Sequence, residues 1–280
     1  MIPASFDYER ADSVDAAVSL LQQHGEDAKV LAGGHSLLPL MKLRLAAPTV
    51  LVDIGRIGEL SYVREDGDRI AIGALTRHHD VAGDPLLAEH CPIVSYTAGL
   101  IGDPQVRHMG TIGGSVAHGD PASDMPTVLL ALDAEFTARG PGGERAIPAS
   151  EFFSGLFETA LAPDEVLTEI RVPKTAGSGW SYQKFQRRSQ DWAIVGVAAV
   201  VSRSNGAFGS AAIGLTNMAE SPIRAAAVEG ALTSSGEVAE AASHAAEGAN
   251  PPSDTFASAE YRRALAEVLV RRAIEEASSR

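Results

Sequence analysis

The chain has 280 residues, 45% of them hydrophobic, enough to bury the core of one large domain or two to three small ones. A formal charge of −13 argues against recognition of a phosphate backbone, so nucleic acid is not an expected partner. No apolar run reaches the roughly 18 residues of a membrane span, and one cysteine, Cys91, supplies neither an iron–sulfur cluster nor a cysteine-rich zinc site.

The opening MIPASFDYERAD carries acids early and lacks a basic-then-apolar signal pattern, so the chain is expected in the cytoplasm. Residues 12–24 read as a helix capped by Asp12 or Ser13, with Val14, Ala17, Val18 and Leu21 on one face and Gly25 at its end. A strand over 28–32 then leads into AGGHSLLP (32–39), residues 37–45 read as a buried turn of helix, and TVLVDI (49–54) reads as the next strand.

Past residue 58 the pattern changes. Segments 60–64 and 69–73 flank Asp66-Gly67, a hairpin signal, and 78–101 is mostly helical. A second glycine stretch, TIGGSVAHGD (111–120), follows. Asp124 precedes Met125-Pro126 and an apolar run to Leu132, which predicts a helix with Asp124 as its N-cap. Strand-like pieces lie near 134–139, 146 and 165–172. KTAGSG (174–179) is the best boundary, followed by three strands (181–187, 193–202, 207–216) and Ala-rich helices broken at Pro251-Pro252. The order predicts an α+β protein in three parts, 1–57, 58–175 and 176–280.

Gly33-Gly34 and Gly113-Gly114 can reach positive φ and let main chain approach a ligand, and successive amides in such turns form an anion-binding concavity. Ser36, Ser115 and Thr111 add hydroxyls, and His35 and His118 lie within the loops. A glycine pair alone more often just makes a tight turn, but two loops of one type suit a diphosphate with two faces. Neither G-x-G-x-x-G after a strand nor G-x-x-x-x-G-K-[ST] is present, nor H-E-x-x-H or G-x-S-x-G, so the spacing stops at a nucleotide-like anion site. Adjacent His78 and His79 do not share one helix face, which argues against a joint metal site. Read as isolated residues, Asp124 is equally well a plain helix cap, Lys184 a solvated surface residue, Ile101 core, and Trp192 packing.

AGGHSLLPLMKLRL, VRHMGTIGGSVAHGDPASDMP, EVLTEIRVP and SYQKFQRRSQDWA together resemble the FAD-binding medium subunits of molybdenum hydroxylases, the carbon monoxide dehydrogenase medium chain and xanthine dehydrogenase flavin-subunit family. The resemblance covers essentially the whole chain. It implies two α/β subdomains clasping FAD, of the vanillyl-alcohol-oxidase and MurB-like type, followed by a small domain with a three-stranded sheet and helices. It further implies that Leu31, Ala32, Gly33, Gly34, His35, Ser36 and Leu37 wrap the pyrophosphate and that Thr111, Gly114 and Ser115 close on it. In the same way Asp124 corresponds to an acid that bonds flavin or ribose hydroxyls and Lys184 to a lysine near the flavin. Ile101 and Gly102 correspond to the isoalloxazine lining, with an isoleucine where the xanthine dehydrogenase domain has an aromatic, and Trp192 to a neighbouring aromatic. The implied function is electron transfer: FAD takes electrons from an iron–sulfur small subunit served by a molybdenum large subunit and passes them to an external acceptor. The implied assembly is a dimer of heterotrimers, touching a membrane only through the complex. Two other functions stay open, a self-contained flavin oxidase or reductase and a non-catalytic nucleotide-binding module.

Overall fold

The computed structural model describes residues 2–280. The first sheet is parallel, with Val50–Asp53 between Asp7–Arg10 and Ala28–Leu31. Its helix, Val14–His24, starts where the Ser13 hydroxyl accepts the Ala16 N–H at 3.1 Å, so Ser13 rather than Asp12 is the cap. Ala17, Val18 and Leu21 pack onto Val50, Val52 and Ile54. The apolar stretch 37–45 is not a buried turn: it is helical only over Leu37–Lys42 and buries only Met41, while Leu43 and Leu45 are 56% and 73% exposed.

The second sheet is antiparallel, in the order Val63–Asp66, Arg69–Gly73, Val166–Pro173, Glu135–Gly140, Gly143–Pro148. Gly67, at φ +64°, and Asp68 turn its first hairpin, and Asp66 is not in the turn but ends its strand paired with Arg69. The helical stretch from residue 78 is three short helices, His78–Gly83, Pro85–His90 and Pro92–Gly99. Each proline opens a new helix because it has no N–H to lose in a first turn. These helices and Asp124–Ala131 cover one sheet face, burying Ile70, Ile72, Ile93, Met125, Phe136 and Ile170.

The third sheet contains the three expected strands, Gly179–Phe185, Val195–Ser204 and Ala207–Thr216, and a fourth, the two-residue Ile223–Arg224, too short to leave a sequence signal. Three helices, Ala226–Ser235, Val238–Ser243 and Ala259–Ser279, lie with it. The buried Arg262 on the last of these donates to the Ile194 carbonyl and, at 2.6 Å, to Asp254, fixing the strand entered from residues 186–193. Tyr182 and Ala198 of this sheet belong to the same core as the second sheet, so the two share one interior.

Candidate cofactor site between two glycine loops

A cavity of about 1510 Å³ opens where the three sheets meet, the size of a site for a large organic ligand. All the residues singled out in the sequence line it. Leu31, Ala32, Gly33, Gly34, His35, Ser36 and Leu37 form one wall, and Thr111, Gly114 and Ser115 a second. Ile101 and Gly102, with Asp124, Lys184 and Trp192, complete it.

The first loop begins where Ala28–Leu31 ends, its last carbonyl accepting the Ile54 N–H at 2.9 Å. Gly34, at φ +75°, turns the chain. Among the described residues, the amides of Gly33, Gly34, His35 and Ser36 find no acceptor within the chain. Four successive free donors on a cavity wall are what an acceptor-only group requires.

The second loop is built otherwise. Thr111 caps the helix Ile112–His118, its Oγ1 accepting the Gly114 N–H at 3.0 Å. The Ile112, Gly113 and Ser115 amides go to the carbonyls of Thr76, Ala74 and Thr111. Neither Gly113 nor Gly114 has positive φ. A Cβ on Gly113 would sit 2.5 Å from that of Ala74, so this glycine serves close packing. The expectation of two alike anion loops is therefore corrected: the second has no free amide from 112 to 115, and it offers hydroxyls instead.

Two further corrections concern Asp124 and Lys184. Asp124 is the first residue of its helix rather than its cap, and it is buried with both carboxylate oxygens taken. Lys184 donates to one at 2.7 Å and the Tyr182 hydroxyl to the other at 2.7 Å. Burial pushes the Asp124 carboxyl up, and Lys184 and Tyr182 pull it back towards the ionised form. Lys184 is no solvated surface residue: its side chain is 5% exposed, and its Nζ also reaches the Leu100 carbonyl at 3.4 Å. Thr216 links Tyr182, at 3.2 Å, to Thr127 at 2.8 Å, so the chain of contacts is closed at both ends. Tyr182 was absent from the sequence candidates, although it lies two residues from Lys184 in one strand and hence on the same face.

Ile101 and Gly102 hold the wall beside Lys184. Gly102 turns at φ +52°, and Arg107 donates to the Ile101 carbonyl at 3.0 Å. Ile101 packs against the core from its edge rather than inside it. Trp192, 55% exposed, stands at the rim with Asp191. Sequence reasoning also missed His78 as a cavity residue: it is buried, its Nε2 lies 2.9 Å from the Ser115 hydroxyl, and burial, with Arg107, pushes it down to about 4. Burial lowers His118 and raises Asp120 beside it. Among the described residues no three or more His, Cys, Asp or Glu side chains are grouped to hold a metal ion.

Residues 4–175 match the model of the FAD binding domain in molybdopterin dehydrogenase, and residues 180–277 that of the CO dehydrogenase flavoprotein C-terminal domain. The chain is 44% identical over 285 residues to the carbon monoxide dehydrogenase medium chain of Hydrogenophaga pseudoflava, covering 100% of this chain and 99% of that one. It is 41% identical to the 6-hydroxypseudooxynicotine dehydrogenase complex subunit alpha of Paenarthrobacter nicotinovorans, with 100% and 97% covered. A solved carbon monoxide dehydrogenase from Hydrogenophaga pseudoflava, lacking the Mo-pyranopterin moiety of its cofactor, superposes with a TM-score of 0.97 at 45% identity over 100% and 99% of the two chains. The free amides of one loop, the buried lysine–carboxylate pair and these likenesses over the full length agree: the chain belongs to the FAD-binding family of molybdopterin dehydrogenases and is an oxidoreductase subunit that binds FAD.

Proposed function

We propose that this chain is the flavin-bearing, electron-transferring subunit of a molybdenum hydroxylase complex. It receives electrons from an iron–sulfur small subunit, which a molybdenum large subunit supplies, and delivers them to an external acceptor. The observation that carries the reading is the row of free amides from Gly33 to Ser36 on one wall of a cavity whose other walls bear Ser115 and Lys184. The lone, buried Cys91 supports placing the clusters on another chain, and the names of the relatives, a medium chain and a complex subunit, support the assembly.

The residues present fit FAD. Its diphosphate only accepts hydrogen bonds, and the Gly33–Ser36 amides with the Ser36, Thr111 and Ser115 hydroxyls are donors for it. Leu31, Ala32, His35 and Leu37 shape that wall, with Gly114 opposite; Ile101, Gly102 and Trp192 are assigned to the flavin end. Bound FAD supplies the redox chemistry, accepting two electrons and releasing them. The protein orients and excludes water. Asp124 is not a base for this reaction, since Lys184 and Tyr182 occupy both its oxygens; the pair has no net charge and instead fixes the position of the Lys184 side chain at the wall. We assign 1–57 and 58–175 to the two cofactor-binding subdomains and 176–280 to the domain that brings Lys184. The complex is a cytoplasmic dimer of heterotrimers; among the described residues no helix is long and apolar enough to cross a membrane.

The test is an affinity pull-down from the native host with an absorption spectrum of the eluate. Co-elution with a cysteine-rich chain and a large molybdenum-containing chain, showing flavin and iron–sulfur bands, is the expected result. A lone yellow protein that turns over a substrate by itself would overturn the reading in favour of a self-contained oxidase.

A further inference from the structure

His78 carries an unusual combination of contacts. The residue is 2% exposed, Nε2 lies 2.9 Å from the Ser115 Oγ, and Nδ1 is buried with no hydrogen-bond partner. The ring is held in place: the His78 N–H bonds the Gly110 carbonyl at 3.0 Å, and a Cβ on Gly110 would sit 3.0 Å from the imidazole. Burial keeps it neutral, so it has one N–H and one lone pair to place.

The choice between tautomers follows from which orphan is tolerable. With the proton on Nδ1, the buried N–H would have no acceptor, and orphaned buried donors are rarer than under-used acceptors. With the proton on Nε2, the orphan is a lone pair, and Nε2–H donates to Ser115. Ser115 Oγ then accepts, and its own proton has no other partner among the described residues. The only place left for it is the cavity that both residues line.

We propose that His78 is a positioning residue, held as the Nε2–H tautomer, that turns the Ser115 hydroxyl into a dedicated donor aimed at the cofactor's diphosphate. This rests on the proposed contact between Ser115 and that diphosphate. A serine free to rotate serves donors and acceptors alike; one that already accepts from His78 with one of its two lone pairs, and whose proton is left free, is biased towards acceptor groups, which phosphate oxygens are. No proton is transferred in this role. His78 acts before any electron moves, by removing a choice from Ser115.

The test has two parts. Two-bond proton–nitrogen correlation spectra of the full-length chain report the His78 tautomer directly. The Nε2–H pattern is expected, and an Nδ1–H or doubly protonated ring overturns the proposal. FAD affinity is then measured on the assembly in which the chain purifies, for Ser115→Ala, His78→Leu and His78→Gln. We expect Ser115→Ala and His78→Leu each to weaken binding about tenfold, and His78→Gln, whose amide N–H replaces Nε2–H, to restore affinity to near that of the parent. Unchanged affinity in Ser115→Ala removes the underlying contact. Weakened affinity in Ser115→Ala with parental affinity in His78→Leu overturns the role of His78 alone. If His78→Leu does not fold, the tautomer and the Gln variant decide the matter.

Discussion

Two stretches with nearly the same letters, AGGHS and IGGSV, do different work in this molecule. In the first, glycine frees the backbone: Gly34 adopts φ +75° and four amides are left without partners. In the second, glycine lets a helix press against Ala74 while every amide from 112 to 115 is consumed. The first pair divides the tasks, Gly33 letting the loop press against Met109 and Gly110 while Gly34 turns it and leaves amides free, whereas the second pair serves the fold and leaves the ligand to side chains. The lesson is that a glycine pair states only that a Cβ is unwelcome, and the fate of the neighbouring N–H groups decides why.

The sharpest way to strain this contrast is downstream of the second loop. Lys184→Met strands the buried Asp124 carboxylate and should cost about 3–5 kcal/mol in denaturant unfolding. The pH sign follows from the raised Asp124 value. Its favourable contribution is full below the ordinary carboxylate range and is lost as pH rises through the folded value, so the deficit of the variant should shrink in acid. A deficit that does not change with pH would sink this account of the pair.

His78 gives the opposite slope. Its folded value, about 4, lies below the ordinary one of about 6.5, so its contribution is present above 6.5 and is lost as pH falls towards 4. His78→Gln should flatten stability against pH in that window by up to roughly 1.4 kcal/mol per unit, read from thermal melts in a buffer series. An unchanged slope would place the titration elsewhere.

Smaller effects separate the loops themselves. Gly113→Ala overpacks against Ala74 and should cost about 1–3 kcal/mol of stability while the folded fraction keeps its FAD affinity. Gly34→Ala should cost about 1–2 kcal/mol from left-handed strain and also weaken FAD binding, since it re-aims the free amides. Equal losses of FAD affinity in the two variants, after correction for folding, would erase the distinction. Thr111→Val, which removes a cap, should cost about 1 kcal/mol by the same melts.

Much of this was legible in the sequence where the signal is local. The β-branched run 49–54 and the helical spacing over 12–24 marked what are strand Val50–Asp53 and helix Val14–His24, and the run 207–216 marked strand Ala207–Thr216, because these signals are written in neighbouring residues. The two-residue strand Ile223–Arg224 was not, as its pairing depends on Ala207–Thr216 being present. The Asp124 error has the same origin. An acid before an apolar run reads as a cap, and the partner that changes its meaning, Lys184, lies 60 residues away on another sheet. The second loop misled for the same reason, since the carbonyls that take its amides belong to Ala74 and Thr76. Recognition of the family placed all these residues at one cavity; it did not tell which contacts are made by main chain and which by side chain.

The bond from strand Gly179–Phe185 to helix Asp124–Ala131 acts as a latch. Parting the last sheet from the cofactor wall would leave a carboxylate and an ammonium facing apolar surroundings, which makes that seam costly to open. Residues 32–37 hold no such lock. Opening the cavity on the side of the first glycine loop would break no ion pair among the described residues, whereas opening it at the last sheet would separate a buried one.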